Sequence, residues 1–159
     1  MKSFEELMTQ ALALAKEAAD EGEVPVAALV VDEEGQIIGR GANNRTNHGD
    51  PLGHAEVLAL RQAADHLGRW NLSGCTLIVT LEPCPMCTGA CIQARVGTIV
   101  FGAYDPKAGC CGSLYNLARD SRFNHRPKVV GGVMADQCAA LLAHFFASRR
   151  KGKGPSVDG

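Results

Sequence analysis

Apolar residues recur at the three- and four-residue spacing of a helix through the first twenty positions, beginning with Phe4. Ser3 and Glu6 have the capping-box arrangement that begins such a helix, and Gly22 is placed to end it. Farther along, shorter apolar runs alternate with helix-like segments, and Gly, Pro and Asn residues separate them. The pattern therefore predicts strands and helices interleaved along the chain.

The predicted order of elements is α-β-β-α-β-α-β-α-β-α. Strands are predicted at about residues 26–31, 36–40, 75–81, 96–102 and 129–133. Helices are predicted at about residues 4–20, 54–66, 86–95, 113–118 and 136–150. A turn at Asp32–Gly35 indicates a hairpin between the first two strands, and the long connection before Lys128 suits a parallel crossover. This order predicts an α/β fold, a three-layer sandwich in which helices flank a five-stranded mixed sheet.

The composition is that of a globular domain, and it mainly excludes other classes of protein. The chain has 159 residues, of which 46% are hydrophobic and 21% are charged. We expect one domain over residues 1–151, followed by a flexible tail at 152–159. Apolar runs are too short to span a membrane, and the N-terminus has no apolar signal core. We therefore expect no membrane association and a cytoplasmic location.

The seven cysteines also suggest a reducing compartment. An odd number without a regular spacing argues against a secreted disulfide framework. Cys75, Cys91 and Cys138 lie in apolar runs and are predicted to be buried thiols. The adjacent Cys110 and Cys111 are predicted to be reduced.

The net charge is −1, but its distribution is uneven. The segment from residue 148 to the end carries four cations against Asp158, a local charge of +3. Such a basic end can contact a phosphate backbone. A solvated helix C-terminus also favours cations, so both interpretations stay open at this point.

Cys84 and Cys87 carry the clearest chemical signal. They directly follow the predicted strand at 75–81, and Pro85 suits the first position of a helix. Thiolates are favoured at a helix start, because free N–H groups and the helix dipole stabilise negative charge. Two thiolates at this spacing can bind one zinc ion.

His54 and Glu56 begin the preceding predicted helix and complete the pattern. His54 can supply a third, imidazole ligand. Glu56 emerges on a different side of the helix and can face the open coordination position. Three protein ligands with one open position are typical of catalytic zinc, where a nearby carboxylate acts as general acid and base. A redox cysteine pair, or a structural zinc site with Cys91 as a fourth ligand, are the alternatives.

Together, His54-Ala55-Glu56 and Pro83-Cys84-Pro85-Met86-Cys87 resemble the zinc-dependent nucleobase deaminase superfamily, which has the cytidine-deaminase-like fold. Further segments are similar to its tRNA adenosine deaminases, among them Glu23-Val24-Pro25-Val26, Asn124-His125-Arg126 and Phe145-Phe146. These segments are spread over nearly the whole chain. The resemblance implies hydrolytic deamination of adenosine to inosine at the wobble position of a tRNA anticodon. It also implies that His54, Cys84 and Cys87 bind Zn²⁺ and that Glu56 transfers protons.

The resemblance also implies substrate contacts. Asn43 would hydrogen-bond the flipped base, Val24 would form an apolar wall of its pocket, and Asp105 would lie near the sugar. Asp105 before Pro106 is equally well placed to start a turn. The basic end of the last helix, with Arg149, would lie near the RNA backbone.

The implied partners are a tRNA anticodon stem-loop and a second copy of the chain in a homodimer. A deaminase of a free nucleobase or nucleoside, such as guanine or cytosine, is the nearest alternative function. A zinc-stabilised binding module without catalysis is an alternative of a different class.

Overall fold

This computed structural model describes residues 2–153, with the backbone alone for 151–153. Within these residues the chain forms five α-helices and five strands. The helices are α1 (Phe4–Asp20), α2 (Arg45–His48), α3 (Ala55–Leu67), α4 (Pro85–Gln93) and α5 (Ala135–Lys153). The strands are β1 (Ala27–Val31), β2 (Ile37–Ala42), β3 (Thr76–Leu81), β4 (Thr98–Ala103) and β5 (Lys128–Val130). A 3-10 helix covers Leu117–Arg119. The capping box at Ser3 and Glu6 is formed as predicted.

The strands form one mixed sheet in the order β2-β1-β3-β4-β5. β1 pairs antiparallel with β2 and β3, whereas β3, β4 and β5 run parallel. The predicted hairpin and the predicted parallel crossover are therefore both confirmed. At the end of the parallel pair Leu81 lies opposite Ala103. The segments that follow β3 and β4 consequently leave the sheet side by side.

The two faces of the sheet carry separate hydrophobic cores. Along β1, Ala28 and Val30 pack with residues of α3 and α4, whereas Leu29 and Val31 pack with residues of α1 and α5. This division follows from the alternation of side chains along a strand. Helices thus cover both faces, and the predicted three-layer sandwich is confirmed.

Two glycines bring α3 unusually close to the sheet. A Cβ at Gly39 would lie 2.3 Å from the carbonyl oxygen of Ala59, and one at Gly41 would lie 2.3 Å from that of Ala55. Neither distance is compatible with a side chain, so these positions of β2 accept only glycine without a shift of the helix. The glycines therefore set the height of the start of α3 above the sheet edge.

The structure differs from the predicted elements mainly at loops. The polar segment 41–53 contains the end of β2 and the short helix α2, and the helix predicted near 113–118 is the 3-10 helix. β5 ends at Val130 because the chain turns at Gly132, whose φ is +84°. The last helix continues to Lys153, two positions into the predicted tail, and residues 154–159 lie outside the described residues. None of the helices described combines the length and hydropathy that a bilayer span requires.

Candidate active site and metal centre

His54, Cys84 and Cys87 meet where two helices begin. His54 immediately precedes α3, Cys84 immediately precedes α4, and Cys87 lies in the first turn of α4. The Nδ1 atom of His54 lies 3.6 Å from Sγ of Cys84 and 3.5 Å from Sγ of Cys87. The ligand atoms of all three residues lie within 4.8 Å of one another. Residues thirty positions apart in sequence are thus brought together as predicted.

These distances fit a tetrahedral zinc ion. Zn–S bonds of about 2.3 Å and a Zn–N bond of about 2.0–2.1 Å at the tetrahedral angle place sulfur and nitrogen about 3.6 Å apart. Both observed S···N distances agree with this value. The three donors, two sulfurs and one imidazole nitrogen, are also the types that zinc prefers.

Cys91 does not complete the set. Among the described residues, the only His, Cys, Asp and Glu side chains grouped closely enough to hold a metal are His54, Cys84 and Cys87. Cys91 is fully buried, and burial raises the pKa of its thiol well above its usual value. The prediction that Cys91 is a packed thiol is confirmed, and the arrangement is that of a three-ligand, catalytic type of site.

The two helix starts leave the ligand side chains free for the metal. His54 and Cys84 occupy N-cap positions, but neither caps its helix with its side chain within the described part of the chain. The first N–H group of α3, on Ala55, instead donates to Oδ1 of Asn43 at 2.8 Å. In α4 the first helical position is Pro85, which has no N–H group to satisfy. The thiols lie at the positive end of α4, and a hydrogen bond with Cys87 lowers the pKa of Cys84 to about 4.

Glu56 lies beside the ligands as a buried carboxyl group. It is 4% exposed and interacts by a hydrogen bond with Cys87. Burial raises its pKa to about 7, against the weaker lowering effect of its backbone hydrogen bond. A carboxyl group with a pKa near neutrality can both accept and donate a proton at physiological pH. The structure therefore places a titratable carboxyl group beside the ligands, and its role as acid and base stays a prediction.

The structure brings the predicted substrate residues to two sides of this centre. Asn43 contacts Ala55, which lies between His54 and Glu56. Val24 is adjacent to Asn43 through the backbone, because both bond to Val26: the Val26 N–H donates to the Val24 carbonyl at 2.8 Å, and the Asn43 N–H donates to the Val26 carbonyl at 3.0 Å.

Asp105 lies on the Cys84 side, two residues after the end of β4, and its N–H donates to the carboxylate of Glu82 at 3.0 Å. Its Oδ1 accepts hydrogen bonds from the N–H groups of Lys107 and Ala108 at 3.0 and 3.2 Å. The turn-starting role anticipated for Asp105 is therefore observed. Its role near a sugar stays a prediction.

Arg149 is engaged within the fold. Its guanidinium donates to the carbonyl of Gly22 at 3.0 Å and lies 5.1 Å from the ring centroid of Phe145. These contacts tie α5 to the end of α1. Arg150, the next residue, is exposed. A role of this basic end near an RNA backbone stays a prediction.

The sequence does not predict the roles of two buried carboxylates near the site, Glu82 and Glu23. Glu82 is 2% exposed and accepts hydrogen bonds from the N–H groups of Asp105, Cys111 and Ser113, each at 3.0 Å, and from the Ser113 hydroxyl. Burial would raise the pKa of Glu82, but these hydrogen bonds outweigh it and the pKa is lowered. Glu23 is also 2% exposed. For Glu82 the available signal is an acidic residue at the end of an apolar strand, where a bare charge would be costly.

Glu23 performs a similar task for the loop between β2 and α3. Its carboxylate accepts from the N–H group of Thr46 at 3.2 Å and from that of Asn47. The side chain of Asn47 in turn donates to the carbonyl of Glu21 at 3.0 Å. These bonds hold α2, and with it the loop that follows Asn43, against the segment that contains Val24.

Comparison with known proteins agrees with this geometry. Residues 1–103 match the family model described as the cytidine and deoxycytidylate deaminase zinc-binding region. The tRNA-specific adenosine deaminase of Bacillus subtilis (strain 168) is 47% identical over 153 residues, which cover 96% of this chain and 94% of the relative. The chain therefore belongs to this zinc-binding deaminase family, in the group that contains the tRNA-specific adenosine deaminases. Its cofactor is Zn²⁺.

Two solved structures show the same fold. One comes from a study of A-to-I editing by tRNA:A34 deaminases at the wobble position of transfer RNA. It has a TM-score of 0.81 and 36% identity, covering 85% of this chain and 97% of the other. The second is a guanine deaminase from Nitrosomonas europaea, with a TM-score of 0.78 and 27% identity over 92% of this chain and 86% of the other. The fold and the family predicted from the motifs are thus confirmed.

Proposed function

We propose that this protein hydrolyses adenosine to inosine at the wobble position of a tRNA anticodon, releasing ammonia. The observation that carries the proposal is the buried Glu56 beside the group formed by His54, Cys84 and Cys87. That arrangement serves hydrolytic deamination. The tRNA substrate is supported by the 47% identity to a tRNA-specific adenosine deaminase along nearly the whole chain.

The residues divide the chemistry between metal binding and proton transfer. His54, Cys84 and Cys87 hold the zinc ion, which when bound lowers the pKa of a water molecule and so supplies the nucleophile. Glu56 accepts a proton from the attacking water and delivers it to the adjacent ring nitrogen of adenine. It then takes the proton of the newly added hydroxyl group and passes it to the amino group, whose bond to the ring carbon breaks as ammonia leaves. Its near-neutral pKa suits a group that must alternate between acid and base.

Asn43 and Val24 form the proposed base pocket. Because Oδ1 of Asn43 already accepts from Ala55, its amide nitrogen remains to donate a hydrogen bond to an acceptor on the base. Val24 is partly buried and packs against the core that lies under α3. Asp105 is proposed to contact the sugar through Oδ2, because its turn bonds use Oδ1. The target base must leave its stack to enter this pocket, which favours a single-stranded loop.

The proposed partners are the tRNA anticodon stem-loop and a second copy of the chain. The homodimer is inferred from the family, and a cytoplasmic location follows from the proposed substrate. Both stay predictions that a sedimentation measurement and a fractionation experiment would test.

A guanine deaminase is the second candidate, because the guanine deaminase from Nitrosomonas europaea shares the fold at a TM-score of 0.78. Its lower identity, 27% against 47% for the tRNA-specific relative, makes it the weaker of the two.

The deciding experiment offers purified, zinc-loaded protein a synthetic anticodon stem-loop with a wobble adenosine. Guanine, cytosine and free adenosine are assayed in parallel, and inosine and ammonia are both measured. Inosine in the stem-loop alone is expected. Ammonia from guanine alone would replace the proposed substrate with a free base, and ammonia from none of them would favour a binding module.

A further inference from the structure

The Glu82 carboxylate lies at the centre of the loop formed by residues 105–113. Its two oxygens accept hydrogen bonds from three residues of that loop, spread over its length: Asp105 at the start, Cys111 near the end, and Ser113, which donates through both N–H and hydroxyl. One carboxylate therefore closes the whole loop. The loop's own backbone adds a further link, from the Gly109 N–H to the Asp105 carbonyl at 2.8 Å.

The loop is shaped to receive this carboxylate. A Cβ at Gly109 would lie 2.3 Å from the Glu82 carboxyl carbon and 2.5 Å from each of its oxygens, so only glycine permits the loop to wrap so closely. The next residue, Cys110, donates its N–H to the carbonyl of Pro83 at 2.9 Å. Both residues that precede the metal ligand Cys84 are thus bonded to the loop.

Glu82 itself is fixed by the sheet. Its N–H donates to the carbonyl of Ala103, the last residue of β4, at 2.9 Å. The carboxylate is therefore held at a defined height above the ends of β3 and β4. The position of the loop therefore depends on the position of α4, because the loop is bonded to Glu82 and Pro83 and α4 begins two residues later.

We propose that Glu82 is a positioning residue that sets the substrate-binding loop, with Asp105, at a fixed place beside the metal centre. This inference rests on the proposed function, because it takes Asp105 as a substrate contact. Glu82 does not touch the substrate and does not bind zinc. Its effect is on capture of the RNA loop, whereas Glu56 acts on the chemical step.

The substitution Glu82→Gln tests the role with little change in shape. It replaces one accepting oxygen with an NH₂ group, which then faces N–H donors and leaves a buried donor unpaired. Ser113→Ala is the milder companion variant, because it removes only the hydroxyl donor and keeps the N–H bond. It preserves the test should Glu82→Gln fail to fold.

Three measurements on the full-length, zinc-loaded protein decide the question: zinc content, amide hydrogen exchange of Asp105, Cys111 and Ser113, and kcat and KM for the anticodon stem-loop. For Glu82→Gln we expect unchanged zinc content, about tenfold faster exchange of these amides, and a KM raised by about tenfold with kcat changed by less than about threefold. Ser113→Ala should shift exchange and KM in the same direction by smaller factors.

The outcomes separate the inference from the proposed function. A fall in kcat at constant KM, loss of zinc, or unchanged amide exchange in both variants would overturn the positioning role. An inactive wild-type protein on the stem-loop would overturn the proposed function instead. In that case the exchange measurement still decides whether Glu82 holds the loop.

Discussion

The side-chain oxygen of Asn43 accepts a hydrogen bond from the backbone N–H of Ala55 at 2.8 Å, and this bond joins the end of β2 to the start of α3. Asn43 thereby caps a helix from outside it. Within the described part of the chain the N-cap residue, His54, makes no capping bond with its side chain, and its imidazole can turn to the metal. One asparagine consequently has two separable tasks, capping through its oxygen and, as proposed, binding the base through its nitrogen.

Two substitutions at Asn43 should separate these tasks. Asn43→Asp keeps an accepting oxygen for Ala55 but loses the amide donor, so stability and zinc content should be retained while kcat/KM for the stem-loop falls at least tenfold. Asn43→Ala loses both and should also lower the free energy of unfolding by about 1–2 kcal/mol. Thermal unfolding and stem-loop kinetics check both. Full activity in Asn43→Asp would remove Asn43 from the base pocket.

Replacing Glu56 with Ala should abolish turnover without loss of the metal. General acid–base catalysis contributes about 10²–10⁴-fold, so kcat should fall by at least that range. Glu56→Gln is the matched variant, since it retains size and removes the titrating group. Ammonia release and metal analysis on the same samples give the answer, and undiminished deamination with zinc in place would exclude Glu56 as the proton carrier. A binding module, by contrast, would keep its function in both variants.

Gly41→Ala should damage the metal centre as well as the fold. A new methyl group at this position meets the carbonyl of Ala55, next to His54, so the start of α3 must move. We expect a loss of about 1–3 kcal/mol in the free energy of unfolding from overpacking, together with weaker zinc binding. Gly39→Ala should cost similar stability but affect zinc less, because it meets Ala59 one turn farther along.

Gly89→Ala, in α4, provides the control for these glycine variants. Among the described residues no neighbouring atom lies within 4 Å of its added Cβ. It should therefore leave zinc binding unchanged and not reduce stability. Metal competition assays measure the zinc affinity of the three variants, and calorimetry measures their stability. If Gly41→Ala bound zinc as tightly as Gly89→Ala, the packing argument would be wrong.

Zinc removal should lower the melting temperature, because a ligand that binds only the folded state adds about 4 kcal/mol of stability at a thousandfold excess over its Kd. Cys84→Ala should bind little zinc and melt like the chelated protein. Cys91→Ala should keep one zinc per chain, since this cysteine lies outside the ligand group. Loss of zinc from Cys91→Ala would point to a four-ligand structural site.

Sequence reasoning was sufficient where the information is local. The periodic apolar residues of α1 and the continuous apolar run of β3 predict their own structure. Cys84 and Cys87 reveal themselves by their spacing after a strand and before Pro85. The third ligand, His54, is indicated by its place with Glu56 at the start of the preceding predicted helix.

The buried carboxylates depend on contacts that no local pattern encodes. Glu82 acquires its role from N–H groups 23 to 31 positions away in the sequence. α2 was not predicted because its four residues, Arg45–His48, are polar and lack an apolar period. Its position depends on Glu23, again from a different part of the chain.

The level ending of β3 and β4, where Leu81 lies opposite Ala103, has an evolutionary consequence. The ligand-bearing helix and the loop at 105–113 leave neighbouring strand ends as separate units, joined through Glu82 and through the bond between Cys110 and Pro83. Changes of length or sequence in that loop can alter which nucleic acid or base is accepted while the metal ligands stay where they are. One zinc scaffold can in this way diversify its substrates by replacing a single segment, provided the anchoring carboxylate is kept.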